Sequence, residues 1–150
     1  MKKIIYNTSR KTNEDRIHTY ATAGTYTVTI KGECTSFTSN TTSKSKLTKI
    51  VQWGSTGFTN INFRDCINLG GTIPEPSKNS FINVKSMSLL FYKCNNLKGN
   101  NPNNLFGNCP EVTSFSDTFN GCSNLTGDLP RKIFDNCKKV FLTKFTNNIW

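Results

Sequence analysis

Histidine is almost absent from this sequence, with His18 the one copy in 150 residues. A Cys-His or Ser-His pair would have to bring that residue to its partner across the molecule, and the few acidic residues are too scattered to suggest a carboxylate pair. Neither a C-x₂-C spacing nor a glycine-rich phosphate-binding loop occurs. The sequence therefore predicts a protein that is not an enzyme and uses neither a metal nor a cofactor.

Long apolar runs are also missing. The opening Met1-Lys-Lys-Ile-Ile-Tyr6 begins like a signal peptide, but its apolar stretch is much shorter than the roughly 7 residues that an export signal needs. No segment approaches the roughly 20 apolar residues of a membrane-spanning helix. We expect no membrane span, and the lack of a visible signal peptide leaves a cytoplasmic location open.

Acidic residues are scarce: nine stand against 19 Lys and Arg, giving a net charge of +10. Such an excess can favour nucleic acid or anionic surfaces as partners. The basic residues are scattered, however, and none recurs at one position in every repeat, whereas a groove that follows phosphates would show a repeated basic stripe. The sequence therefore argues against a nucleic-acid partner.

What the sequence does contain is a motif, Phe-x-x-Cys-x-x-Leu, written three times at intervals of 28 residues. The copies are Phe63-Arg-Asp-Cys66-Ile-Asn-Leu69, Phe91-Tyr-Lys-Cys94-Asn-Asn-Leu97 and Phe119-Asn-Gly-Cys122-Ser-Asn-Leu125. A fixed period in this range is typical of units that bury their apolar faces against neighbouring copies. Within each period we predict a strand at 84–89, 112–117 and 140–145, and a single helical turn at 105–109 and 133–137.

The segment Asn124-Leu-Thr-Gly-Asp-Leu-Pro130 resembles the N-L-x-G-x-I-P motif of leucine-rich repeats, and Phe-x-x-Cys-x-x-Leu resembles the BspA-like surface-protein branch of that family. The resemblance covers about residues 47–150, with departures at Asp117 and Thr143, which occupy apolar positions, and at Asn100-Asn101, which replace the aliphatic residue before Pro102. It implies a β-rich fold of the α/β solenoid class, a short leucine-rich-repeat-like solenoid of about three 28-residue coils with an N-terminal β-strand cap. It also implies a cell-surface, secreted or virion-associated location.

The N-terminal part has a different pattern. From His18 to Ile30 the residues alternate, with Tyr26, Val28 and Ile30 on one face, which predicts a half-buried strand. The segment resembles the closing strand of PKD-type domains. We therefore divide the chain into residues 1–46, an N-terminal β cap with a mobile polar loop at 36–46, and residues 47–150, the repeat region.

The repeat also predicts which residues form the core. Cys109 and Cys137 share a repeat position that Phe81 occupies one period earlier, so the position is apolar and buried free thiols are expected. Because stacked coils lie near 5 Å apart, Cys109 and Cys137 are the pair expected to form a bridge in an oxidising compartment. The predicted core residues are Phe63, Cys66, Leu69, Phe91, Cys94, Leu97, Cys109, Phe119, Cys122, Leu125 and Cys137.

Residues that alternate with this core would face outward and form a strip that could bind a glycan or an extended peptide. An ordinary solvated strand face would carry the same residue types. The predicted function is a non-enzymatic adhesion module, and the alternative is a structural subunit of a phage tail fibre or other virion assembly, oligomerising through open solenoid ends. The predicted strip residues are Phe58, Asn60, Asn62, Ser86, Ser88, Leu90, Ser114, Ser116, Thr118, Leu142, Lys144 and Thr146.

Overall fold

The computed structural model describes residues 2–7, 19–128, 130 and 133–139. Its regular structure consists of four strands, β1 (Lys2–Asn7), β2 (Tyr26–Lys31), β3 (Ser36–Thr38) and β4 (Asn60–Asn62). They form two separate two-stranded parallel sheets, β1 with β2 and β3 with β4. Within the described residues, no helix has the length and hydropathy to cross a membrane.

The predicted β-rich α/β solenoid is wrong. The described ranges contain no helix and only four short strands, and residues 84–89 and 112–117 are turns and irregular backbone. The reason is visible at Leu89 and Asp117, whose φ angles of 60° and 55° are left-handed and end an extended run. The helical turns predicted at 105–109 and 133–137 are isolated turns. The predicted strand at 140–145 lies outside the described residues.

Consecutive 28-residue repeats are nevertheless joined by backbone hydrogen bonds. The amide of Phe63 donates to the carbonyl of Leu90 at 2.8 Å, and the amide of Phe91 donates to the carbonyl of Thr118 at 2.8 Å. Similar bonds join Met87 to Ser114 and Leu89 to Ser116, each at 2.9 Å. Backbone groups that would be costly to bury unpaired are thus satisfied between repeats without regular strands.

The core between the repeats is a stack of aromatic rings. The centroids of Phe63 and Phe91 are 5.8 Å apart and those of Phe91 and Phe119 are 5.7 Å apart, with interplanar angles of 12° and 14°. Trp53 packs edge-on against Phe63 and Phe81. All eleven residues predicted as repeat core are buried. The 28-residue period therefore places each phenylalanine ring above its counterpart.

The asparagine that precedes the motif leucine links neighbouring segments. Asn96 Nδ2 donates to the carbonyl of Ile67 at 2.8 Å, and Asn124 Nδ2 donates to that of Asn95 at 2.5 Å. Asn68 donates in the same way to Ser45, at 2.8 Å. In each case the asparagine side chain donates a hydrogen bond to a backbone carbonyl that lies outside the strands. This shared contact explains why asparagine recurs before the motif leucine.

One repeat position is left-handed in each motif: Asp65, Lys93 and Gly121 have φ angles of 61°, 58° and 79°. A left-handed conformation costs a non-glycine residue roughly 1–2 kcal/mol, and a change to glycine removes this cost. Glycine also raises the entropy of the unfolded chain, which cancels part of the gain in stability. We expect Lys93→Gly to raise the free energy of unfolding by about 0.5–1 kcal/mol. Chemical denaturation measures this change.

Lys93→Ala is the matched control, because it removes the same contact between the ammonium group and the Tyr92 ring but keeps a Cβ in the left-handed conformation. It should be less stable than Lys93→Gly. Equal stability of the two variants would show that the backbone conformation at residue 93 is not strained.

The N-terminal segment also differs from the prediction. β2 pairs in parallel with β1, and Val28, predicted on the buried face, is 49% exposed. Within the segment 36–46, predicted as a mobile loop, Ser36–Thr38 form β3 and pair with β4. The Phe37 ring lies 5.1 Å from that of Phe63. Because Phe37 reaches the first repeat, this polar segment is anchored to the core.

Candidate functional site

The predicted outward strip is only partly at the surface. Phe58, Leu90 and Thr118 are buried, with exposures of 8%, 0% and 1%. Leu142, Lys144 and Thr146 lie outside the described residues. The remaining six are exposed or half-buried and are called the surface patch below: Asn60, Asn62, Ser86, Ser88, Ser114 and Ser116.

The outward placement of Leu90 and Thr118 is wrong because strict alternation requires extended backbone. The left-handed residues Leu89 and Asp117 immediately precede them and change the direction of the next side chain. Thr118 Oγ1 consequently donates to the carbonyl of Phe115 at 2.6 Å. In the first repeat the chain stays extended through β4, and Asn62 remains half-exposed. Phe58 instead joins the apolar core.

The serine hydroxyls of the surface patch form a connected row across two repeats. Ser88 Oγ donates to Ser114 Oγ at 2.8 Å, and the Ser114 and Ser116 hydroxyls are 3.1 Å apart. Ser86 Oγ accepts the backbone N–H of Ser88 at 3.2 Å. These contacts hold the hydroxyls in position, and each has further capacity to donate or accept. The patch can therefore offer an ordered set of neutral hydrogen-bonding groups.

A second surface cluster surrounds Tyr92. The Arg64 guanidinium and the Lys93 ammonium each lie 5.2 Å from the centre of its ring. Asp65 accepts a hydrogen bond from Lys44 at 3.0 Å, and this bond holds the pKa of the Asp65 carboxyl below its usual range. Sequence reasoning missed the cluster, although Arg64 and Tyr92 are one period apart and could have been paired by that spacing.

Three of the cysteines, Cys66, Cys94 and Cys122, are buried in the core beside the ring stack. Cys94 and Cys122 donate from sulfur to the carbonyls of Phe63 and Phe91, at 3.2 and 3.0 Å. Burial raises the pKa of the Cys66 and Cys94 thiols and raises that of Cys122 to about 11. These three thiols are therefore protonated and unreactive near neutral pH.

Cys109 and Cys137 form a separate pair. The interaction between the two thiols raises the pKa of Cys109 and lowers that of Cys137. Cys137 also lies 3.4 Å from the carbonyl oxygen of Phe106, to which its thiol can donate.

A cleft of about 270 Å³ lies away from the surface patch, between the turns at 75–81 and 104–108. Its volume is below the range of most small-molecule pockets. The Glu75 carboxylate in its wall already accepts the backbone N–H of Asn104 at 3.1 Å. Among the described residues, no group of three or more His, Cys, Asp or Glu side chains is arranged to hold a metal ion.

The surface patch therefore offers hydrogen bonds, and its six residues include no carboxylate, imidazole or amine that could act as an acid or base. The resemblance to BspA-like proteins stays a prediction that depends on the repeat motif, since the described residues do not form the expected solenoid. In the comparisons with known proteins, no protein-family model, curated protein or solved structure matches this chain.

Proposed function

We propose that this chain is a non-enzymatic binding module of a surface-type repeat protein and that it recognises a glycan through the surface patch. The observation that supports this proposal is the hydroxyl row, in which Ser88 donates to Ser114 across the repeat boundary at 2.8 Å. Hydroxyls both donate and accept, as sugar hydroxyls do. Because they are already ordered by one another, little side-chain entropy is lost on binding.

A glycan suits this patch better than an extended peptide. Peptides that add as strands need unpaired backbone groups along an edge. The amides of Met87 and Leu89, which flank the serines, already donate to the carbonyls of Ser114 and Ser116. Recognition at the surface patch therefore depends on side-chain hydroxyls and amides.

The resemblance of Phe-x-x-Cys-x-x-Leu to BspA-like proteins supports the same proposal, since it implies an adhesive role at a cell surface or on a virion. Association of several copies would add avidity to weak single sites. Light scattering distinguishes the adhesion module from the virion subunit: a defined trimer or larger assembly that binds no glycan would favour the structural role.

The glycan proposal is tested with Ser88→Ala/Ser116→Ala. Each hydroxyl is expected to contribute about 0.5–1.5 kcal/mol, so the double variant should bind a glycan selected on an array about 5- to 150-fold more weakly. Calorimetric titration of wild type and variant with that glycan measures the change.

Ser45→Ala/Ser123→Ala is the matched control, because both serines are exposed and lie outside the surface patch. It should bind as wild type does. Equal affinity of both double variants, or no glycan binding by the wild-type chain, would contradict the proposal. Peptide binding that the Ser88 and Ser116 substitutions weaken would replace the glycan by a protein ligand.

A further inference from the structure

A cluster of charged side chains at the boundary between the first two copies of the motif has an excess of positive charge. Lys44 Nζ lies 3.0 Å and Arg64 Nε 3.3 Å from the same carboxylate oxygen of Asp65. The hydrogen bond from Lys44 is the main cause of the lowered pKa of this carboxyl, and the charge of Lys93 adds to it. Among the described residues, no other carboxylate forms a salt bridge with these three cations. The cluster therefore keeps two unbalanced positive charges.

Two of the cations are held at the surface by contacts with Tyr92. The Arg64 guanidinium and the Lys93 ammonium each lie 5.2 Å from the centre of its ring, a distance at which cations are attracted to the ring. The amide of Asp65 donates to the carbonyl of Tyr92 at 2.8 Å, which ties the carboxylate to the same place. The Lys93 stem packs against Gly121, where an added Cβ would lie 3.2 Å from Lys93 Cγ. Because Arg64 and Lys93 are both exposed, their charged groups are ordered and still open to a ligand.

The cluster borders the surface patch. The backbone N–H of Arg64 donates to the side-chain oxygen of Asn62, a residue of the patch, at 2.7 Å. The adjacent amide of Phe63 donates to the carbonyl of Leu90 at 2.8 Å, which places the end of β4 alongside the segment that carries Tyr92. A ligand that covers the patch and extends past Asn62 therefore reaches the Arg64 guanidinium.

We propose that this cluster is an anion subsite, and that the glycan recognised by the surface patch carries a sulfate ester or a carboxylate that Arg64 and Lys93 bind. This inference rests on the proposed glycan binding, whose ligand class it narrows. A guanidinium donates two parallel hydrogen bonds to such an oxyanion, and the ammonium adds a second positive charge. The patch hydroxyls bind the sugar, and the cluster binds its anionic group.

The positive charge of the cluster does not continue along the repeats. One period after Tyr92 and Lys93, the equivalent positions hold the uncharged residues Asn120 and Gly121. A groove that follows a nucleic-acid backbone needs cations along several phosphates. A single anionic group on a glycan therefore fits the cluster better than a polyanion does.

The test uses an array that holds neutral glycans together with their sialylated and sulfated forms. We expect the wild-type chain to bind anionic forms preferentially, and the two anionic arms distinguish a carboxylate from a sulfate ester. Affinity for the best anionic glycan should fall as the NaCl concentration rises, because exposed charges are screened. Arg64→Gln/Lys93→Gln should bind that glycan about 10- to 100-fold more weakly and lose the preference for it over its neutral form.

Lys98→Gln/Lys138→Gln is the matched control, because it removes two exposed lysines that lie outside the cluster and the surface patch. It should bind the anionic glycan as wild type does. Equal binding of neutral and anionic forms, or an unchanged affinity in Arg64→Gln/Lys93→Gln, would overturn the anion subsite but leave glycan binding in place. If that variant fails to fold, the array and the salt dependence of the wild-type chain still decide the outcome.

The remaining outcomes separate this inference from the proposed function. Anionic-glycan binding that depends on Arg64 and Lys93 but not on Ser88 and Ser116 would support the anion subsite and contradict the role of the surface patch. No glycan binding by the wild-type chain would overturn both. Tighter binding of a single-stranded DNA oligonucleotide than of any glycan would overturn the anionic glycan in favour of a nucleic acid.

Discussion

Replacing Phe91 by alanine is expected to lower the free energy of unfolding by about 3–5 kcal/mol. Its ring is fully buried between those of Phe63 and Phe119, so its removal takes away contacts with two repeats and leaves a cavity. Small domains have about 5–15 kcal/mol of stability in total. The variant should therefore be close to unfolding, which urea denaturation followed by tryptophan fluorescence measures.

Two further variants make this result interpretable. Phe91→Leu keeps most of the buried volume and should lose less stability than Phe91→Ala. Ile67→Ala removes a side chain that is 51% exposed and should change stability only slightly. A loss at Ile67 as large as that at Phe91 would show that the ring stack is not the main stabilising core.

Replacing Asn101 by leucine is expected to raise the free energy of unfolding by about 2–3 kcal/mol. Asn101 is 4% exposed, and neither its amide nitrogen nor its amide oxygen has a hydrogen-bond partner. One period earlier, the same position holds the buried Ile73. Leucine would remove the cost of the unpaired amide and add apolar burial, and thermal and urea denaturation both measure the gain.

Asn103→Leu is the matched control, because Asn103 is exposed and two residues away. It should leave the free energy of unfolding almost unchanged. If Asn101→Leu destabilises the chain, the buried amide must have a hydrogen-bond partner such as an internal water, or the space around it must be too small for leucine.

The core was predictable from the sequence because apolar burial depends mainly on residue type and period. Phe63, Phe91 and Phe119 recur at equal spacing, and stacking the repeats brings their rings together. The same reasoning identified Cys109 as an apolar position, since Phe81 replaces it one period earlier. All six residues of the surface patch belong to the predicted strip, whereas three other residues of that strip, Phe58, Leu90 and Thr118, are buried.

The secondary structure and the burial of Phe58, Leu90 and Thr118 were not predictable in this way. A motif that resembles leucine-rich repeats led to expected strands, but the left-handed backbone at Leu89 and Asp117 interrupts them. The sequence shows that Asn101 departs from the repeat pattern. It does not show that the side chain is buried or that its amide is unpaired. The position of Lys93 beside the Tyr92 ring likewise required the folded geometry, whereas the 28-residue spacing could have paired Arg64 with Tyr92.

By itself, the sequence determined the 28-residue period, the identity of the core and the lack of recognisable catalytic groups, because these depend on residue chemistry and spacing. Only the tertiary structure decided how the repeats are joined and which hydroxyls stay at the surface. Those features depend on φ angles at single residues and on backbone hydrogen bonds between residues about 28 positions apart. Residues with similar local sequence can therefore face inward in one repeat and outward in another.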